Sequence, residues 1–213
     1  MLTGCADVTQ LLNNGKGADV LPYRYAFRVW FVLPSPRTLQ LMRKPSASQT
    51  LTMPYIPSRP GLYKEVIAKA LELTGKKPTA LRRTLSQISV TFQPFPKIIG
   101  RESERRGGNA MGLSSQCPDR IILEVSSAWW SGKDDELMYK VAAELVAWVE
   151  AQIPAWTTEA GMAADAYMPF LMNDATWNQK VTASYREYEK LKALQETFDP
   201  TGMFRLRVGG HKY

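Results

Sequence analysis

Between Tyr23 and Leu33 the chain alternates residue by residue: Tyr23, Tyr25, Phe27, Val29, Phe31 and Leu33 fall on one side, and Arg24, Ala26, Arg28, Trp30 and Val32 on the other. A period of two over that length is a strand whose faces meet different surroundings. Two further strand patterns follow, Ile88–Phe95 (ISVTFQPF), checked by Pro94 and Pro96, and Ile121–Trp130 (IILEVSSAWW). Helical spacing separates them. Leu62–Leu73 repeats apolar residues at helical intervals and stops at Gly75. Asp134–Ile153 begins with acids and carries apolar residues at 137, 141, 145, 146, 148, 149 and 153. A shorter helix is expected from about Ser184 to Thr197, and Lys97–Arg106 reads as a short basic helix or turn. The expected class is α+β: an antiparallel sheet with helices on one face, the other face forming a pocket or an interface.

The remaining stretches read as connections. Residues 1–20 are a polar lead-in, and residues 21–213 read as a single domain. Residues 34–60 hold six prolines among many Ser and Thr, which reads as a long loop. Gly107, Gly108 and Gly112 mark places where the backbone needs positive φ, and Asn109 holds its turn. Asp199-Pro200-Thr201-Gly202 is a type I turn, and a Pro/Thr/Gly loop follows Ile153.

Composition removes several classes of function. No run of about 18 apolar residues occurs, so no membrane span is expected. No secretion signal is visible at Met1, which points to the cytoplasm. Two cysteines and one histidine, His211, give no metal cluster and little support for a Ser-His-Asp triad. The net charge is +7, but the basic residues punctuate loops without interleaved aromatics, so a solvated basic surface is expected and nucleic acid is not.

Thr91-Phe92-Gln93-Pro94-Phe95-Pro96, then Arg106 to Leu113 (RGGNAMGL), then Ala128-Trp129-Trp130 before an acidic helix start, resemble fungal berberine-bridge-enzyme-like FAD-linked oxidoreductases. So does the ending, Tyr185–Leu191 into Phe198-Asp199-Pro200-Thr201-Gly202-Met203-Phe204 and Gly209-Gly210-His211-Lys212. The resemblance runs from about residue 60 to the end. It implies a substrate domain, an antiparallel sheet with helices outside, and the C-terminal segment that returns to the flavin. The family's N-terminal flavin domain has no counterpart in this sequence, nor has its Gly-rich phosphate loop or the residue for covalent FAD attachment. Where the family pattern has tyrosine-X-asparagine-tyrosine, this chain reads Leu171-Met172-Asn173-Asp174, keeping only the asparagine. No cofactor is therefore expected, and FAD only if a partner supplies the missing domain.

If helices cover Ile88, Val90 and Phe92, the opposite sheet face carries Thr91 and Gln93, and likewise Glu124 and Ser126, with Arg28 and Trp30 from the first strand. A half-polar face flanked by aromatics, Trp130 among them, is the pattern of a small-molecule pocket; the alternative is a wet sheet face. Glu124, partly buried beside Trp30 or Trp130, is a candidate general acid or base, or else a surface carboxylate paired with Arg28 or Arg120. Gln93 is a candidate donor to a carbonyl, or else bonds backbone near Pro94. Asn173 joins the binding candidates through the resemblance, and Tyr167 and Tyr185 are possible phenol donors.

The function these readings lead to is a cofactor-independent, redox-neutral enzyme of natural-product biosynthesis. It would isomerise, dehydrate or cyclise, in Diels-Alder fashion, a small apolar unsaturated molecule. The alternative is an accessory half of a FAD-dependent oxidoreductase that docks on a flavin-bearing partner, and a homodimer is a further possibility.

Overall fold

In the computed structural model the described residues are 27–32, 45–75, 87–163 and 166–211, with side chains placed for 45–75, 88–163 and 166–211. Four strands form one antiparallel sheet: β1 Phe27–Val32, β2 Ser46–Pro54, β3 Gln87–Phe95 and β4 Arg120–Ala128, in spatial order β1-β3-β4-β2. Among the described residues five α-helices accompany it: α1 Leu62–Gly75, α2 Lys97–Arg105, α3 Asp135–Glu159, α4 Tyr188–Phe198 and α5 Met203–Arg207. The α+β class with an antiparallel sheet is thus what the chain adopts. The lead-in and the ends of the first predicted strand lie outside the described residues.

One sheet face is apolar because strand parity makes it so. Leu51 and Met53 of β2, Ile88, Val90 and Phe92 of β3, and Ile121, Leu123 and Val125 of β4 form a single buried cluster with α1 and α3. From α1 come Leu62, Tyr63, Val66, Ala70 and Leu73, from α3 Met138, Val141, Ala142, Leu145, Val146 and Val149. The Tyr63 ring meets Phe92 edge-on at 5.0 Å. At the start of α3, Trp129 donates from Nε1 to Asp135 Oδ1 at 2.6 Å, so one of the acids expected there also anchors a fully buried indole.

Two expectations are corrected. Residues 34–60 are not all loop, because β2 occupies Ser46–Pro54 and pairs with β4 along its whole length. Prolines at its two ends are compatible with an edge strand, whose outer N–H groups need no ladder partner. Its outer edge is instead closed by an amide: Gln179 Oε1 accepts from Thr50 N at 3.0 Å, and Gln179 Nε2 donates to Thr50 O at 2.7 Å. Second, α3 does not end near Ile153 but runs through Pro154 to Glu159. Pro154 is exposed, and so is Glu150, whose carbonyl the proline leaves without its helical donor. The helix continues past it to Glu159.

Among the described residues, the apolar cover of the other sheet face gathers at one end. There Phe95, Ile122, Leu113 and Cys117 form a second buried cluster, bordered by Ile99, Met111, Tyr167 and Leu171. Helix α2 is fastened to this cover at both ends: Asp119 Oδ1 accepts from Lys97 N at 2.8 Å, and Glu104 Oε2 accepts from Ser115 N at 2.9 Å. Gly107, Gly108 and Gly112 have φ of 99°, 94° and 69°, and Asn109 holds the turn through Ser103 Oγ and both backbone groups of Leu113. A Cβ at Gly100 would strike the Ser114 carbonyl, which is why α2 carries glycine at that point.

Candidate functional site

Register decides which side chains share the second face, since directly paired residues in an antiparallel sheet lie on the same side. One row across the four strands reads Arg28, Thr91, Glu124, Thr50, and the next reads Trp30, Ser89, Ser126, Ser48. Gln93 pairs with Ile122 and Thr52 in the adjoining row. Six of the eight residues singled out from the sequence therefore belong to one face: Arg28, Trp30, Thr91, Gln93, Glu124 and Ser126. For Arg28 and Trp30 the backbone register is what is described.

The centre of the face is a carboxylate held by serines. Ser126 Oγ donates a short hydrogen bond to Glu124 Oε1, Ser48 Oγ donates to the same oxygen at 3.5 Å, and the two serine hydroxyls lie 2.9 Å apart. Because Ser126 spends its one proton on Glu124, the single Ser48 proton is shared between Ser126 Oγ, the nearer acceptor, and Glu124 Oε1. Among the described residues Glu124 Oε2 has no hydrogen-bond partner. Glu124, Ser126 and Ser48 are half-buried, whereas Ser89 and Thr91 are buried. The expected ion pair of Glu124 with Arg120 does not form: Arg120 is four residues along the strand, with its guanidinium over the Phe95 ring. Thr50, directly opposite Glu124, is fully buried, and its Oγ1 finds no partner. That hydroxyl is a buried polar group left without a hydrogen bond.

Other candidates lie elsewhere. Trp130 is beyond the end of β4, which stops at Ala128, and is 47% exposed; the strand ends where Trp129 turns into the helix-side core. Asn173 is exposed in a 3-10 turn, Met172–Asp174. Gln93 is exposed, so its amide is solvated and lacks the water-excluded setting in which an oxyanion donor is strongest. Tyr167 Oη donates to the Met111 carbonyl and accepts from Arg186 N at 3.1 Å, which occupies it as a structural tie. Burial raises its pKa, with Arg186 and Arg120 opposing.

Two residues were not foreseen. Ser48 sits in the strand read as loop, although the alternation Ser48-Thr50-Thr52 against Gln49-Leu51-Met53 carries its signal. Arg120 was foreseen only as a surface partner for Glu124, and it is 1% exposed.

Among the described residues no group of three or more His, Cys, Asp or Glu is placed to hold a metal ion, and no helix is long and apolar enough to cross a membrane. The chain is similar to fungal proteins named FAD-dependent monooxygenases. It is 32% identical over 156 residues to FUP4 of Fusarium proliferatum strain ET1, covering 71% of this chain and 28% of that protein. With sdcF of Emericella nidulans the identity is 30% over 156 residues, 70% of this chain and 31% of that protein. With tpcD of Cochliobolus heterostrophus it is 32% over 155 residues, 70% of this chain and 27% of that protein. The chain spans about a quarter of the length of these curated relatives. No protein-family profile matches it, and no solved structure does. Over part of its length, then, this is a relative of fungal FAD-dependent oxidoreductases.

The glycine turn at 107–112 and the start of α2 do not fit the pyrophosphate of that cofactor. A phosphate cradle needs backbone N–H groups free to point at the anion. The Gly107 and Gly108 amides are bonded to Glu104 O and Ser103 O at 3.2 and 2.9 Å, and the Gly112 amide to Asn109 O at 3.0 Å. The first amide of α2 is taken by Asp119.

Proposed function

We propose that this chain is the substrate-side part of a FAD-linked oxidoreductase acting on a small, apolar, unsaturated molecule, and that its own contribution is proton transfer at Glu124. The observation that carries this reading is the asymmetry of the carboxylate: Oε1 tied to Ser126 and Ser48, Oε2 without a hydrogen-bond partner among the described residues on a half-buried polar face. A positioned base with one free oxygen is what general base catalysis requires. The flavin would come from a partner domain. The exposed apolar side chains of α4 and α5, Phe198, Phe204 and Leu206, are the surface such a domain would cover. The berberine-bridge-like motif order supports the finer family reading.

A second reading shares the site: the chain by itself performs redox-neutral work, double-bond isomerisation, dehydration or a Diels-Alder-type cyclisation. It is favoured by the fact that a proton shuttled on Glu124 needs no group these residues fail to hold.

Both readings are tested by incubating the chain in D₂O with a β,γ-unsaturated ketone and following deuterium at the α and γ carbons. Exchange that falls at least about a hundredfold in Glu124→Gln supports the assignment, in line with the usual worth of a positioned base. Exchange equal in the two proteins removes Glu124 from the chemistry.

A further inference from the structure

Arg120, the first residue of β4, is buried to 1% exposure with its Cζ 4.6 Å from the centre of the Phe95 ring. Its Nη1 donates to the Tyr167 carbonyl at 2.8 Å, while Nε and Nη2 are buried with no hydrogen-bond partner. Among the described residues no carboxylate pairs with it. Asp119, next in sequence, accepts from the Lys97 amide, and Glu124 is held by serines. A second guanidinium adds to the local positive charge: Arg186 lies over the Tyr167 ring at 4.3 Å. Cys117 Sγ accepts from Ser114 N at 3.5 Å and from Arg186 Nη1 at 3.9 Å.

An unpaired buried guanidinium is costly, and a water molecule meets its N–H groups without neutralising its charge. The pattern of what is free is specific. Nε–H and the Nη2–H beside it are the parallel pair on the side of the guanidinium, spaced to match the two oxygens of a carboxylate. We infer that Arg120 is an anion anchor, and that it takes the carboxylate of a small organic acid through Nε and Nη2.

Arg120 and Glu124 lie on the same sheet face, four residues apart on β4, which is about 13 Å of strand. Ile122, between them, is buried in the second cluster, so an acid that reaches both groups lies where part of that cover now packs. That this acid is the substrate rests on the proposed function; that an acid binds does not.

The test is binding by the wild-type chain, read by calorimetry and thermal shift at matched ionic strength. Octanoate and acetate serve as probes, with octanamide and chloride for comparison. Wild type binds octanoate at least tenfold more tightly than octanamide. Arg120→Met loses that preference, and Arg120→Lys, which keeps the charge but not the fork, weakens octanoate binding about tenfold. Glu124→Gln retains acid binding, so a failure of proton transfer and a failure of the anchor are read separately. Octanoate bound no better than octanamide by wild type, or equally by wild type and Arg120→Lys, overturns the proposal, and both comparisons stand even if Arg120→Met does not fold.

Discussion

A carboxylate with one oxygen tied and one open has a direction, and in this chain the direction comes from serines on two strands. Removing the Ser126 hydroxyl frees Glu124 to rotate, so Ser126→Ala is expected to slow deuterium exchange about tenfold without unfolding the chain. Ser48→Ala acts through Ser126 and has a smaller effect in the same assay. A different group of residues sets the alkaline limit. Burial raises the pKa of Tyr63, Tyr55 and Tyr167 above the ordinary value. The folded state therefore holds the phenolic protons more tightly than the unfolded one. Stability is fully present below pH 10 and falls as pH rises beyond it. Tyr63→Phe is expected to flatten that fall, checked by urea midpoints between about pH 8 and 11. Alternation alone places Thr91, Glu124 and Ser126 on one face. It says nothing of whether Arg120 is paired, because the cover over that residue comes from segments some fifty residues further on, around Tyr167 and Arg186.

Among the elements, β2 shows why a strand is missed. Ser48, Thr50 and Thr52 face one way and Gln49, Leu51 and Met53 the other, so the alternation is present but its apolar side holds only Leu51 and Met53, interrupted by Gln49 and enclosed by prolines. Gln49 is 4% exposed on the helix side and Thr52 1% on the polar side. Tertiary pairing, not hydrophobic pattern, makes it a strand. The aliphatic alternations of β3 and β4 and the apolar spacing of α1, by contrast, are legible because burial on one side is what selects them. The β2 edge depends on Gln179, and Gln179→Ala leaves Thr50 N–H and C=O without their protein partner. A loss of about 1–3 kcal/mol in chemical denaturation is expected. The cover over Arg120 depends on a close approach: a Cβ at Gly112 would come within 2.6 Å of Arg186 Cβ, at φ +69°. Gly112→Ala is expected to cost about 1–3 kcal/mol, with reduced protection of the Arg186 amide in hydrogen exchange as its local signature.

At the scale of the molecule, the sheet divides the chemistry. Helices α1 and α3 pack one face into a continuous apolar core, and the other face keeps a carboxylate, hydroxyls and a buried guanidinium in a row of rows. The relatives are three to five times longer than the part this chain matches, and their shared name concerns a cofactor whose phosphates the glycine turn at 107–112 does not cradle, since the amides of Gly107, Gly108 and Gly112 are bonded within the chain. The proposed division of labour puts the substrate and proton-transfer groups in this chain and the flavin elsewhere. The most direct measurement is the visible absorbance of the purified chain after incubation with excess FAD and desalting. The account predicts a flat baseline across the flavin bands. A stoichiometric flavin spectrum that survives desalting would contradict it, because these residues would then hold the cofactor themselves.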